Sequence, residues 1–272
     1  MDNNTSKLNI GICLCGGGAR GIAHIGVLQA LEENNIIPQY ISGASMGAIV
    51  GAFYAEGLSP KEILDILSKP RFYKAFSFGI PIEGLTDLSY LKRLLKNNIK
   101  DDSFENLQKK LFVCISNLNT GAYEIFNSGK LSTIVLASAA IPLIFKPVRI
   151  NESLYVDGGL LNNLPIEPLL NCTDFIIGVN VNNHGPMDKV EGMYNISERC
   201  AAVVIWENVK PRLAKCDISI EVEEAYPYGI FDFKSAAKIY EAGYKQTIAQ
   251  IPEILEQIAI RKKKNKLFNF WK

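Results

Sequence analysis

Ser45 has the sequence neighbours of an activated nucleophile. It lies in the segment Gly43–Gly47 (GASMG), after a strand-like run and before a stretch of small and apolar residues. A G-x-S-x-G turn between a strand and a helix holds its serine in a strained, exposed conformation, and the glycines leave room for the helix to cross the strand. The pattern therefore indicates nucleophilic catalysis by Ser45. The alternative is that Ser45 only caps the following helix.

A serine hydroxyl needs a base to remove its proton near neutral pH, and two residues could supply it. Asp157 precedes two glycines at the end of a strand-like run, where burial near Ser45 would raise the basicity of its carboxylate. His184 follows the later run Asp174–Val181 and would complete a triad of Ser45, Asp157 and His184. His24 lies within a predicted helix, where we expect a structural role. Asp157 could also be an ordinary turn residue.

A glycine-rich loop, Gly16–Gly21 (GGGARG), joins the first predicted strand to a helix. It partly fits the dinucleotide-binding fingerprint, but the next strand ends in Ser42 and Gly43 rather than in an acid that could hold a ribose hydroxyl. Backbone N–H groups at a helix N-terminus bind negative charge. An oxyanion that develops on an acyl carbon is such a charge, so the loop is a candidate oxyanion site.

The surrounding pattern predicts the elements that would hold these residues in place. The runs Leu8–Cys15 and Asp174–Val181 are apolar at nearly every position, which is typical of parallel strands covered on both faces. Ile22–Glu33 has an apolar face at helical spacing, and Ser59 begins another helix with a capping-box pattern. Because strands and helices alternate with short connections, we expect one α/β domain, residues 1–260, with a largely parallel central sheet.

The composition excludes several classes of protein. The chain has 272 residues, 48% of them hydrophobic and 21% charged, which is too apolar for a disordered protein. Its longest uncharged apolar stretches, Gly43–Ala55 and Thr133–Phe145, are shorter than the roughly 20 residues of a membrane-spanning helix. The N-terminus shows no secretory signal, and the six cysteines lack metal-binding spacing. We therefore expect a cytoplasmic protein with reduced thiols and no metal site.

Three motifs in this order resemble the patatin-like phospholipase family of Ser–Asp dyad acyl hydrolases. They are the glycine loop Gly16–Gly21, the serine turn Gly43–Gly47, and Asp157–Gly159 (DGG). Residues 16–28 (GGGARGIAHIGVL) and 155–165 (YVDGGLLNNLP) extend the likeness, as does ASAAIP at 137–142. The resemblance covers about residues 10–182 and fades beyond 190.

The resemblance implies a fold and a role for each motif residue. The fold would be the three-layer α/β/α arrangement. Ser45 would attack the ester carbonyl of a lipid or phospholipid, and Asp157 would be its general base without help from histidine. Arg20 would shape the glycine loop or attract a lipid head group, and a purely structural role is the alternative. The chemistry passes through an acyl-enzyme and requires no metal or organic cofactor. The amides expected to form the oxyanion hole are chiefly those of Gly17 and Gly18, with contributions from Gly16 and Ala19.

The C-terminal segment 261–272 combines basic and aromatic residues without an acid. Such a tail suits an anionic membrane surface, where each well-placed cation contributes ~1 kcal/mol, although a solvated terminus is the alternative. The protein would then lie peripherally at the inner membrane surface, and the patch is too short to indicate nucleic-acid binding.

Deleting 261–272 should weaken binding to anionic vesicles and spare hydrolysis of a soluble ester. The residues predicted to contact the membrane are Arg261, Lys262, Lys263, Lys264, Lys266, Phe268, Phe270 and Trp271. A second segment, Arg71–Pro81, could also meet the lipid surface as a mobile rim or lid, and packing of its aromatic residues onto the core is the alternative.

Two other functions remain open at this point. One is a regulatory or binding protein that uses the same scaffold without turnover, although all the expected catalytic positions are occupied. The other is an esterase that depends on His184. Retention of full activity after His184→Ala would exclude the esterase with a triad.

Overall fold

The computed structural model describes residues 8–69, Phe72, 88–187 and 189–270, with the backbone alone for Tyr194 and residues 267–270. The predicted rim Arg71–Pro81, apart from Phe72, and the last residues of the predicted tail, Trp271 and Lys272, lie outside this range. Among the described residues, no helix is long and apolar enough to cross a membrane.

Eight strands in the described part of the chain form one sheet, in the order β5-β6-β3-β2-β1-β7-β8, with β4 also paired to β3. The sheet is parallel from β3 through β2, β1 and β7 to β8, and antiparallel where β4, β5 and β6 join it. The strands are β1 Ile10–Leu14, β2 Tyr40–Gly43, β3 Lys110–Asn117, β4 Ala122–Phe126, β5 Val148–Ile150, β6 Ser153–Asp157, β7 Phe175–Asn180 and β8 Ile218–Glu221.

Helices flank this sheet, and the expected three-layer α/β/α arrangement is confirmed. All five residues of β1 are buried, as its continuous apolar run predicts. The α-helices are α1 Ala23–Glu33, α2 Met46–Glu56, α3 Pro60–Leu67, α4 Ser89–Asn98, α5 Leu131–Ser138, α6 Glu167–Cys172, α7 Met193–Leu213 and α8 Ala236–Phe270. Ser59 caps α3 and forms the predicted capping box with Glu62.

Two strands share one edge of β3, and their carboxyl ends meet there. The strand β4 covers the other edge of β3, from Val113 to Asn117. On the shared edge, β2 pairs as far as Val113, which faces Gly43, and β6 runs in the opposite direction and ends with Asp157 facing Ile115. The turn that follows Gly43 therefore lies beside the end of β6.

The C-terminal segment does not begin as a separate tail, because residues 261–270 continue helix α8 without a break. Two side chains of this segment also contact the body of the protein. The guanidinium of Arg261 pairs with the carboxylate of Asp217, and Asn265 Nδ2 donates to Asp174 Oδ1 at 3.1 Å. The described part of this segment is therefore an ordered helix that packs against the domain.

Candidate active site

Ser45 lies at a sharp turn between β2 and α2, as the G-x-S-x-G pattern predicts. Its φ is +52°, a backbone conformation that non-glycine residues rarely adopt. A side chain at Gly47 would place its Cβ only 2.1 Å from the carbonyl oxygen of Leu14, so glycine is required where α2 crosses β1. The Ser45 hydroxyl makes no capping hydrogen bond to α2. The alternative that Ser45 only caps this helix is therefore wrong.

The Ser45 turn is held by a side chain from α5. The backbone N–H of Ser45 donates to Ser138 Oγ at 2.9 Å, and this hydroxyl donates in turn to the carbonyl oxygen of Cys114 at 2.7 Å. Ser138 is fully buried. It fixes the strained backbone to the central strand β3, a role that the sequence alone did not reveal.

The Ser45 hydroxyl donates directly to the carboxylate of Asp157, with 2.6 Å between Oγ and Oδ2. The second carboxylate oxygen, Oδ1, accepts from the backbone N–H of Gly159 at 2.7 Å. Burial raises the pKa of Asp157 from 3.8 to about 6, and the hydrogen bonds from Ser45 and Gly159 partly offset this rise. The carboxylate is therefore more basic than an exposed aspartate, and it is oriented toward the hydroxyl.

The backbone N–H groups of the glycine loop divide into two kinds. Gly16 donates its N–H to Asn163 Oδ1 at 3.0 Å, and Ala19 donates its N–H to the carbonyl oxygen of Ile230 at 2.8 Å. The N–H groups of Gly17 and Gly18 have no acceptor within the described residues. The expectation that Gly16 and Ala19 contribute to an oxyanion hole is corrected, because their donors are already used. Gly17 and Gly18 remain the candidate donors.

Two asparagines that the sequence analysis did not single out hold this loop. Asn163 accepts from the N–H of Gly16 and donates from Nδ2 to the carbonyl oxygen of Gly16 at 3.3 Å. Asn182 Nδ2 donates to the same carbonyl at 2.6 Å. Asn163 is only 3% exposed. Its position six residues after Asp157, in the segment that resembles the family, is a signal that could have identified it.

The Arg20 side chain contacts residues from the C-terminal part of the chain. Its Nε donates to the carbonyl oxygen of Tyr228 at 2.5 Å, and its Nη2 pairs with Glu198 Oε1 at 2.7 Å. The residue is buried, with 9% of its surface exposed. Of the expected roles, this geometry favours shaping of the loop or a purely structural role over contact with a lipid head group.

Neither histidine is in hydrogen-bond contact with Ser45 or Asp157. His184 Nε2 lies 2.6 Å from Glu221 Oε2, and its ring stacks on Trp206 with 3.6 Å between centroids. His24 is fully buried, and its Nε2 lies 2.8 Å from the carbonyl oxygen of Cys15, so the ring must donate there. Burial lowers the pKa of His24 to about 4. A Ser45–Asp157–His184 triad does not form in this structure.

A small apolar cleft opens beside Ser45, with a cavity volume of about 10 Å³. One wall comes from α2 and from residues that follow α5, and the other comes from the segment before α8. Such a wall favours an apolar substrate group next to the reactive oxygen. Within the described residues, no cluster of three or more metal-binding side chains exists. The lining residues are Gly18, Ser45, Met46, Ile49, Ala139, Ile141, Ile230, Phe231 and Phe233.

Comparison with known proteins gives one matching family and several relatives. A family model described as "Patatin-like phospholipase" matches residues 12–170, more than half of the chain. An uncharacterized NTE family protein of Mycobacterium tuberculosis is 36% identical over 171 residues, which are 61% of this chain and 29% of that protein. Lysophospholipase NTE1 of Candida glabrata is 31% identical over 203 residues, 70% of this chain and 12% of that protein. The chain thus spans less than a third of the length of these relatives.

Solved structures share the fold at low sequence identity. VipD from Legionella pneumophila matches with a TM-score of 0.52 and 16% identity, over 90% of this chain and 66% of that chain. Human GIVD cytosolic phospholipase A2, solved in complex with methyl gamma-linolenyl fluorophosphonate, matches with a TM-score of 0.51 and 12% identity, over 98% of this chain and 60% of that chain. At these identities the likeness concerns the fold alone.

Proposed function

Because this chain belongs to the patatin-like phospholipase family, we propose that it hydrolyses fatty acyl esters of phospholipids at Ser45. The observation that carries the proposal is the 2.6 Å hydrogen bond from the Ser45 hydroxyl to the buried carboxylate of Asp157. The bond lies beside a small apolar cleft, whose lining favours an apolar group next to the reactive oxygen. Gly17 and Gly18 offer two unused N–H donors on the same loop.

The proposed reaction has two displacement steps. Ser45 Oγ attacks the acyl carbonyl carbon while its proton passes to Asp157, and the N–H groups of Gly17 and Gly18 stabilise the negative oxygen of the tetrahedral intermediate. The carbon–oxygen bond to the alcohol breaks, and the alcohol leaves with the proton from Asp157. A water molecule then gives its proton to Asp157 and attacks the acyl-enzyme. The fatty acid leaves, and the proton returns to Ser45.

The substrate class can be tested with the unmodified protein. The relative from Candida glabrata is named a lysophospholipase, so we propose lysophospholipid as a substrate. Fatty-acid release should be measured on a lysophospholipid, a diacylphospholipid and a triacylglycerol dispersion. We expect release from the lysophospholipid above the rate of a heat-denatured control. Release from none of the three by correctly folded protein would contradict the proposal and favour a binding protein on the same scaffold.

The membrane contact of the C-terminal segment is a separate proposal, because this segment lies far from the cleft. Arg261 and Asn265 contact Asp217 and Asp174, which directly precede β8 and β7 at the amino ends of the parallel strands. Ser45 follows the carboxyl end of β2 and therefore lies at the opposite end of the parallel strands. We therefore propose that the segment tethers the protein to an anionic surface without presenting the cleft to it. A location at the inner membrane surface is part of this proposal.

The tether is tested better by substitution than by deletion, because deletion would also remove the contacts of Arg261 and Asn265. Lys262, Lys263, Lys264 and Lys266 are exposed, and at ~1 kcal/mol each their joint replacement by glutamine should weaken binding to phosphatidylglycerol vesicles by tenfold or more at low salt. Hydrolysis of a soluble ester should remain unchanged. Vesicle flotation measures the first quantity.

A matched control removes the same charge elsewhere. It replaces four other exposed lysines by glutamine: Lys92, Lys96, Lys100 and Lys110. Equal loss of vesicle binding in both quadruple variants would show a general charge effect and refute the tether.

A further inference from the structure

Leu143 occupies a backbone position that suits glycine or asparagine. The backbone N–H of Ile144 donates to the carbonyl oxygen of Ile141 at 3.2 Å, which closes a turn with Pro142 second and Leu143 third. The φ of Leu143 is +69°. Proline at the second position and a positive φ at the third define a type II turn, whose third residue is usually glycine. A bulky leucine in this conformation is strained.

The Leu143 side chain gains no packing in return for this strain. It is 86% exposed, among the most exposed large apolar side chains in the described part of the chain. The backbone strain opposes stability of the isolated protein, and no buried contact of the side chain offsets it. A partner that buries Leu143 would offset this cost.

The turn that carries Leu143 is at the mouth of the cleft. Ala139 and Ile141 line the cleft beside Ser45, and the carbonyl oxygen of Ala140 accepts from the backbone N–H of Asp157 at 3.0 Å. Leu143 follows two residues after Ile141, which is at most about 7 Å of chain. A surface that contacts Leu143 is therefore next to the opening of the cleft beside Ser45.

Two exposed cations follow Leu143 at intervals of three residues. Lys146 and Arg149 are both exposed, and neither forms an ion pair with any described residue. The nearest acid along the chain beyond them is the exposed Glu152. Leu143 is apolar, and the two cations that follow it have no ion-pair partner among the described residues. This combination is complementary to an anionic lipid bilayer, in which charged head groups cover an apolar acyl layer.

We propose that Leu143 enters the acyl region of an anionic phospholipid surface, with Lys146 and Arg149 at the level of the head groups. The insertion brings the mouth of the cleft against the lipid, so that an acyl chain passes to Ser45 without crossing water. This inference rests on the proposed function for its consequence, but the contact itself can be measured without turnover. It is distinct from the tether at residues 262–266, which lies at the opposite end of the strands and binds an anionic surface in a different orientation of the protein.

The contact is tested by vesicle flotation with protein that carries Ser45→Ala, so that the lipid is not consumed. The same protein carries Lys262→Gln, Lys263→Gln, Lys264→Gln and Lys266→Gln, so that the proposed tether does not hold it on the vesicle. The test variant is Leu143→Asn, because asparagine accepts the positive φ and should preserve or improve folding. Loss of the inserted leucine should weaken binding to phosphatidylglycerol vesicles about tenfold. Lys146→Gln with Arg149→Gln should weaken binding to these vesicles and leave binding to phosphatidylcholine vesicles unchanged. The control is Leu170→Asn, at an exposed leucine of α6 near the amino ends of the strands.

The outcomes separate this inference from the proposed function. We expect Leu143→Asn alone, with Ser45 intact, to hydrolyse a soluble short-chain ester within twofold of the unmodified protein and to release fatty acid from vesicles about tenfold more slowly. Equal vesicle binding with leucine or asparagine at position 143, or equal losses with Leu170→Asn, would overturn the insertion of Leu143. If the unmodified protein hydrolyses no ester, the proposed function fails, whereas the flotation result still decides the lipid contact.

Discussion

Replacing Ser45 by alanine is expected to lower fatty-acid release by on the order of 10³-fold or more, to the rate of the uncatalysed background. Among the residues that line the cleft, Ser45 alone carries a hydroxyl or a thiol, so no other lining side chain can replace it as nucleophile. The loss should appear in kcat, because alanine leaves the apolar walls unchanged. Labelling with a fluorophosphonate, which reacts with activated serines, should disappear in the same variant.

The control for this substitution is Ser153→Ala, at a half-buried serine at the start of β6. It should keep activity and labelling close to those of the unmodified protein. Labelling of the Ser45→Ala protein at full stoichiometry would contradict the assignment of the nucleophile. Activity in that variant above one tenth of the original would contradict it equally.

The elements around each motif could be predicted from the sequence, because they depend on local patterns. The buried strand before the glycine loop, the turn at Ser45 and the capping box at Ser59 all follow from neighbouring residues. The meeting of Ser45 with Asp157 does not, since 112 positions separate them. It depends on the antiparallel pairing of β6 beside the end of β2. The motifs alone offered Asp157 as one of two candidate bases, and the family resemblance favoured it over His184.

The partners of the glycine loop could not be predicted for a similar reason. The carbonyl oxygens of Ile230 and Tyr228 and the carboxylate of Glu198 come from the part of the chain where the family resemblance fades. Their contacts determine which N–H groups of the loop remain available and how Arg20 is oriented. The region after residue 190 therefore supports the site, although its sequence carries no recognisable motif.

Replacing Asp157 by asparagine is expected to lower activity by about 10²- to 10⁴-fold, because an amide cannot accept the proton of Ser45. In the unmodified protein the base must be ionised, so kcat/KM should rise with pH through about 6, the raised pKa of this carboxyl, and level off above it. His184→Gln should change neither the rate by more than a few-fold nor the pH profile. A large loss of activity in the His184→Gln protein would contradict this expectation and support a catalytic triad that includes His184.

The same substitution should increase stability at neutral pH, which distinguishes a buried base from an ordinary structural aspartate. The pKa of Asp157 is higher in the folded protein, about 6, than the ordinary value of 3.8, so folding favours its protonated form. The resulting stabilisation is complete below pH 4 and is lost as pH rises through about 6, and above that pH the buried carboxylate costs up to about 3 kcal/mol.

Urea unfolding should therefore find Asp157→Asn more stable than the unmodified protein at pH 8, and by a smaller margin at pH 5. The exposed Asp65→Asn serves as control and should show no such difference. An Asp157→Asn protein that is less stable at pH 8 would mean that hydrogen bonds to the carboxylate outweigh its burial, and Asp157 would then have an ordinary, low pKa.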